Sequence, residues 1–314
     1  MNVGGQERFL QGPTGVGWSE SSPMLSTLPQ ELFGHRVVAK LGSGAASELY
    51  AVQDSKTKQV WALKHVVRKT DKDARFIEQV EQEHSIGSKL GHPNVRGVGK
   101  LFRQRKLFTT VEVGLLLELV DADPMDVRRP QTLTQAVDQF RQIARGLQHM
   151  HEKGFVHADM KPINAMVDEA GHVKIIDLGQ ACAINTKKSR IQGTPGYIAP
   201  EQARRETITA ATDVYNLGAT MHWVLVGAVI PTAVPPAGDG TVTTVDIDRI
   251  KPPPHPSKRN ADIPQALGDL ILECVRLPVE DRPSMSEVIQ RLESLGTVGG
   301  SGWQLPESGP QAGK

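Results

Sequence analysis

The stretch "FVHADMKPINAM", residues 155–166, holds an aspartate, a lysine two residues on and an asparagine three residues after that. Asp159, Lys161 and Asn164 are group types that can handle a hydroxyl proton, a phosphate and a metal ion. Upstream, Gly42 and Gly44 in "LGSGAASELY" separate two stretches that read as strands. Lacking a Cβ, they let backbone N–H groups approach an anion closely. A plain hairpin turn is the other reading of that stretch. A dinucleotide-binding fold would need a helix next, and none follows. Lys64 lies inside the apolar stretch "WALKHVV". An ammonium there costs free energy unless a carboxylate or a phosphate meets it. Glu83 is the preferred partner, with Glu81 and Glu78 as competitors, and a solvated lysine on an edge strand is the alternative.

The elements that must position these groups fall into two kinds. "HRVVAKLG", "SELYAV" and "VWALKHVV" read as strands around a polar turn at residues 54–58. Residues 71–90 have spaced apolar positions (Phe76, Ile77, Val80, Ile86, Leu90) that suit a helix, and "GLLLELV" is a further strand. Leu133, Val137, Phe140, Ile143, Ala144, Leu147 and Met150 recur at helical spacing. A hairpin, "AMVDEAGHVKIID", follows, and then three helices in "TDVYNLGATMHWVLVG", "ALGDLILECVRL" and "SMSEVIQRLESL". Residues 228–262 are rich in Pro and Gly and read as a surface excursion whose simplest role is a loop. A strand-rich front and a helix-rich back make an α+β chain of two lobes with a cleft between them.

Bulk composition narrows the classes. The chain has 314 residues, 39% hydrophobic and 23% charged, with a formal net charge of +1. That length buries a substantial core, and that balance gives no charge excess for nucleic acid or a membrane surface. No apolar run approaches the ~20 residues of a membrane helix, and the first residues show no secretion signal. Cys182 and Cys274 form no metal-ligand pair and read as reduced core thiols of a cytoplasmic protein. Residues 1–30 read as a flexible arm and 297–314 as a flexible tail in which Trp303 docks locally.

From residue 35 to 295 the chain resembles the eukaryotic-type (Hanks-type) serine/threonine protein kinase family, in a style closer to its bacterial members. The resemblance rests on motifs in family order. They are the Gly-rich loop, the strand lysine, the helix glutamate before "HPNV", "HADMKPIN", "DLG" at 177–179, "GTPGYIAPE" at 193–201, "DVYNLG" at 213–218 and "DRPS" at 281–284. It implies a kinase domain over 31–296, with an antiparallel β-sheet N-lobe of about 31–119 carrying one main helix. A mainly helical C-lobe of about 124–296 would complete it. The implied substrates are ATP with Mg2+ and protein Ser/Thr hydroxyls, autophosphorylation included.

By the same resemblance, Asp159 would orient the acceptor hydroxyl and Lys161 would face the γ-phosphate. Asn164 and Asp177 would hold the metal, and Lys64, positioned by Glu83, the α- and β-phosphates. Nucleotide contacts would come from Leu41, Gly42, Ser43, Gly44 and Ala45 of the loop. Leu49, Ala62 and Met166 would sandwich the adenine. The backbone from Glu118 to Val120 would bond its edge, behind Leu117. Thr194 would sit near Asp159 and Lys161, Glu201 would pair with Arg282, and Asp213 would brace the catalytic loop.

Four positions depart from the family pattern. Ser47 replaces the third loop glycine, and Leu178 the phenylalanine after the metal aspartate. Gly87 replaces a bulky contact, which implies a helix less firmly packed there or a shifted register. Ala158 replaces the arginine that usually binds an activation-loop phosphate, giving His-Ala-Asp in place of His-Arg-Asp (a non-RD pattern). Independence from loop phosphorylation follows, although Thr186 and Ser189 are available acceptors beside Lys187, Lys188 and Arg190. Two other readings stay open. One is a pseudokinase that binds nucleotide or scaffolds. The other is a small-molecule kinase related to aminoglycoside phosphotransferases, which lack the "APE" segment and its arginine partner.

Overall fold

The computed structural model describes residues 28–44, 46–232 and 250–296. The expectations for the arm as far as residue 27, for Ala45, for 233–249 of the Pro-rich excursion and for the tail from residue 297 lie outside the described residues.

Strands β1 (Glu31–Leu32), β2 (His35–Ser43), β3 (Ser47–Asp54) and β4 (Val60–Val67) lead into helix α1 (Ala74–Gly87). After it come β5 (Val98–Lys106) and β6 (Thr109–Glu118). The strands form one antiparallel sheet in the order β1-β2-β3-β4-β6-β5. Side chains alternate across a strand. Leu63 therefore joins Tyr50, Val52 and Leu116 on one face. Ala62 and Val66 join Val113, Leu115 and Leu117 on the other, against Ile77 and Val80 of α1. Lys64 lies between Ala62 and Val66 in the same alternation, so it must point to the α1 side. Helix α1 buries Ile77, Val80, Glu83, Ile86 and Gly87. That stripe turns Glu83 inward and leaves Glu78 and Glu81 off it.

Several boundaries differ from the sequence expectation. Helix α1 is shorter than 71–90, because Asp73 first accepts the N–H groups of Lys69 and Thr70 and closes a 3-10 turn over Asp71–Asp73. Strand β6 starts at Thr109, five residues ahead of "GLLLELV". Strand β5 has no counterpart in the sequence reading. It is the sheet's last strand, and its exposed Arg103, Arg105 and Lys106 hide the alternation while guarding the edge.

The second lobe begins with β7 (Asp123–Pro124) and α2 (Leu133–Glu152), whose Thr132 cap accepts the Gln135 N–H at 3.2 Å. Then follow β8 (Phe155–Val156), β9 (Ala165–Val167), β10 (Val173–Ile175), β11 (Cys182–Ala183) and β12 (Thr186–Lys187). Helix α3 (Pro200–Arg204), β13 (Thr207–Ile208), α4 (Ala210–Val226), α5 (Gln265–Cys274) and α6 (Met285–Gly296) complete it. Phe140, Ile143 and Leu147 of α2 share one core with Leu217 and Met221 of α4, Leu270 of α5 and Leu292 of α6. Strand β9 pairs with both β10 and β7, β11 with β8, and β12 with β13. The fold is thus α+β, an antiparallel sheet lobe on a helical lobe.

A smaller cluster of Ile86, Val95, Met150, Leu178 and Ala181, with Val98 against it, links α1 to the second lobe. It corrects the expectation at Gly87. A Cβ there would lie 2.2 Å from Val98 Cγ2 and 3.2 Å from Leu178 Cδ1. The volume missing from α1 is supplied by β5, so the helix is closely packed and its register holds.

Candidate active site

Lys64 meets Glu83 as the alternation and the helical stripe require, Nζ to Oε2 at 2.6 Å, and Asp177 Oδ1 lies 3.5 Å from the same nitrogen. The Lys64 side chain is 18% exposed and that of Glu83 3%. Burial opposes the Lys64 charge, but Glu83 and Asp177 outweigh it and raise its pKa above the ordinary lysine value. Burial likewise opposes the Asp177 carboxylate, and Lys64, His157 and the Gly179 N–H bring its pKa below the usual value. Glu81, a competitor for Lys64, pairs with Arg103 at 2.5 Å.

The loop between β8 and β9 carries the rest. Lys161 Nζ donates to Asp159 Oδ2 at 2.8 Å and to Thr194 Oγ1 at 2.6 Å, and the Thr194 hydroxyl donates to Asp159 Oδ1 at 2.8 Å. Each carboxylate oxygen of Asp159 therefore has its own donor. Asn164 Nδ2 donates to the Asp159 carbonyl at 2.8 Å, which fixes the amide with its nitrogen toward the loop. The Ile176 N–H donates to the Asn164 carbonyl at 2.9 Å, holding Asn164 beside the residue before Asp177. His157 Nδ1 accepts the Asp159 N–H at 3.2 Å, so its Nε2 carries the proton that meets the Ile176 carbonyl at 3.2 Å.

Asp213 of α4 braces this loop from below. It accepts the N–H groups of His157 and Ala158 at 2.9 and 2.8 Å, and His151 Nε2 at 2.8 Å. Ala158 needs this grip, because its φ of +61° lies in the left-handed region; that conformation costs a non-glycine residue about 1–2 kcal/mol. Its side chain is buried with Val156, Cys182 and Ile208. Lys188 reaches back toward the same region, with Nζ donating to the Gln180 carbonyl at 2.5 Å. Burial pushes its pKa down, against the pull of Cys182, Asp159 and Asp213. Gln202 Nε2 ties the Ala158 carbonyl to that of Gln192, at 2.7 and 3.2 Å.

The scaffold pair expected from sequence is present. Arg282 donates to both Glu201 oxygens at 2.8 and 2.9 Å, with both side chains buried. At the other end of the cleft, the Gly-rich turn between β2 and β3 is closed by Gly44 N–H to Ser47 O at 2.7 Å, and Ser43 Oγ donates to Glu48. Ala62 and Leu117 are buried, opposite each other in the β4–β6 ladder, and Leu49 lies across from Lys64. Leu41 is exposed to 39%, and Met166 of β9 is half-buried. Val120 is also half-buried, two residues beyond β6. Glu118, first of the backbone groups expected to bond the base edge, is itself engaged within the chain. Its carbonyl already accepts Arg96 Nε at 2.8 Å, and its carboxylate takes the Gly97 N–H and Lys174 Nζ.

Residues 35–292 match the family described as protein kinase domain. The chain belongs to that family. Among curated proteins, this kinase domain is 30% identical over 259 residues to "Serine/threonine-protein kinase PknA" of Mycobacterium tuberculosis (strain ATCC 25618 / H37Rv), covering 80% of the chain and 57% of the relative. It is 27% identical over 268 residues to "Serine/threonine-protein kinase PknB" of Mycolicibacterium smegmatis, covering 82% and 42%. With "Serine/threonine-protein kinase PrkC" of Bacillus subtilis it is 26% identical over 247 residues, covering 76% and 37%. The chain spans about half the length of these relatives. Sequence reasoning passed over Arg96 and gave Lys188 no structural role. The signal for Arg96 was a lone charge between Val95 and Val98, in a stretch otherwise apolar or glycine.

Proposed function

We propose that the cleft transfers the γ-phosphoryl group of ATP to serine or threonine hydroxyls of proteins. The observation that supports this most is the Asp159 carboxylate held between the Lys161 ammonium and the Thr194 hydroxyl. Phosphoryl transfer is mainly positioning and charge stabilisation. Asp159 accepts the proton of the incoming hydroxyl and aims its oxygen, in the place the Thr194 hydroxyl now marks. Lys161 stabilises charge on the transferred group. Lys64, locked by Glu83, holds the remaining phosphates.

Asn164 and Asp177 fit a divalent cation, since both offer oxygen and Asp177 is held ionised by its neighbours. They are too few to cage an ion, which suits Mg2+, an ion that completes its shell with phosphate and water. When bound, it supplies neutralisation of the phosphate oxygens. All four residues whose loss marks pseudokinases (Lys64, Asp159, Asn164, Asp177) are in place, and the Glu201–Arg282 pair speaks against the small-molecule kinase reading.

The same reading makes activity independent of loop phosphorylation. Ala158 offers no cation to a loop phosphate, while Lys188, the β12–β13 pairing and Gln202 already fasten the segment. Ser189 is exposed and open to autophosphorylation without needing it. We place the protein in the cytoplasm on its two free buried cysteines, Cys182 and Cys274. Phosphoamino-acid analysis of a labelled basic protein tests the substrate class. Phosphoserine or phosphothreonine, abolished by Asp159→Asn, is the expected product, and phosphotyrosine or no dependence on Asp159 overturns the assignment.

A further inference from the structure

The base end of the cleft holds a charged side chain that phosphoryl transfer does not use. The Arg96 N–H is tied to the Ile175 carbonyl at 2.9 Å, and its side chain runs to the end of β6, where Nε donates to Glu118 O at 2.8 Å. Guanidinium has five N–H donors in a flat fork. Among the described residues, Nη1 and Nη2 of Arg96 donate to no group of the chain, and no carboxylate lies within ion-pair distance. The group is only half-buried. Burial pushes its pKa down, while Glu83, Glu118 and Asp177 pull against that. Arg96 is thus tied to Glu118, the residue after buried Leu117, and feels the charges of Glu83 and Asp177 at the Lys64 end of the cleft.

We propose that Arg96 makes this end of the cleft a subsite for a 6-oxopurine, so that GTP or ITP serves as phosphoryl donor at least as well as ATP. The proposal rests on the phosphotransfer reading above and concerns only the base. Adenine presents an amino group at C6, a donor that would face the donors of Arg96 and share an already engaged carbonyl of Glu118. Guanine and hypoxanthine present O6 beside N7, two acceptors that an arginine fork contacts bidentately. In a site walled by Ala62, Leu117 and Leu49, a donor left without an acceptor is costly. A 6-oxopurine gives the free N–H groups of Arg96 two acceptors, whereas adenine gives N7 alone beside a competing donor.

The test compares nucleotide affinity without transfer. Isothermal titration of the Asp159→Asn chain with ATP, GTP and ITP is repeated with Arg96→Val added, and steady-state transfer is measured with Asp159 intact. The expected result is GTP and ITP binding at least as tightly as ATP. The GTP-to-ATP affinity ratio should fall about tenfold or more on Arg96→Val, the scale of one bidentate base contact. An unchanged ratio overturns the proposal, whichever base is preferred. If Arg96→Val does not fold, Arg96→Gln, which keeps the length but loses the fork, is read by the same ratio. ATP bound and used with an unmoved ratio removes only the Arg96 assignment. If no nucleotide binds, the phosphotransfer reading falls too.

Discussion

Two arginines of this fold are held in opposite ways. Arg282 in the helical lobe meets both oxygens of Glu201 and the carbonyls of Ala211, Arg276 and Leu277, with its guanidinium over the Tyr215 ring. Arg96 at the cleft has one carbonyl, Glu118 O, and no paired carboxylate among the described residues. A buried charge whose donors are all met is scaffold, and removing one partner strands the other. A charge left partly unmet beside a cavity is available to whatever enters. The same contrast separates Asp213, which grips three donors, from Asp177, whose side chain is 48% exposed. At Arg282 and Asp213 the helical lobe is finished, whereas at Arg96 and Asp177 the cleft is left unfinished for a substrate to complete.

The largest effect should come from the unfinished side. Asp159→Asn should cut transfer by about 10²–10⁴-fold, the usual worth of a positioned acid–base group, with an unchanged melting temperature. On the finished side, Arg282→Ala should cost about 3–5 kcal/mol of stability, because Glu201 is left buried and alone. A denaturant melt reads that directly, and a loss of activity at unchanged stability would blur the distinction between the two arginines.

Acid sharpens the comparison. Burial resists the Asp213 charge, but its hydrogen bonds from His151 and the loop backbone win and hold its pKa below the usual aspartate value. A depressed carboxylate pKa contributes stability above the unfolded value, and that contribution is lost as pH falls through the folded one. Stability should therefore drop as pH falls below about 4, the ordinary aspartate value. An Asp213→Asn chain should show a flatter acid limb in melts followed by circular dichroism. The smallest effect is expected from Thr186→Ala/Ser189→Ala, which should keep most activity. Its collapse would mean that the segment needs a phosphate after all.

Much of the site was legible in the sequence because its motifs resemble those of the kinase family in order and spacing, and the fold supplies the physical reason for one pair. Lys64 alternates with Ala62 and Val66, and Glu83 falls in the stripe of Ile77, Val80 and Ile86, so the pair follows from two periods. What escaped was non-local. Gly87 reads as a gap in its helix, but Val98 from a strand eleven residues later fills it. That strand, β5, was hidden by the charges that protect its edge. Ala158 reads as a missing cation, and only the fold shows its methyl among Val156, Cys182 and Ile208 with Lys188 fastening the segment nearby. Arg96 depends on a carbonyl 22 residues away, which no local pattern announces.

The central claim is that this cleft moves a phosphoryl group through Asp159. The direct measurement is single-turnover transfer of radiolabelled γ-phosphate to a generic basic protein, run in parallel for the unaltered chain and Asp159→Asn with nucleotide binding measured on both. Binding should be retained in both chains, with labelling reduced about 10²-fold or more in Asp159→Asn. Equal labelling by the two chains, or binding without labelling in either across metals and substrates, would contradict it.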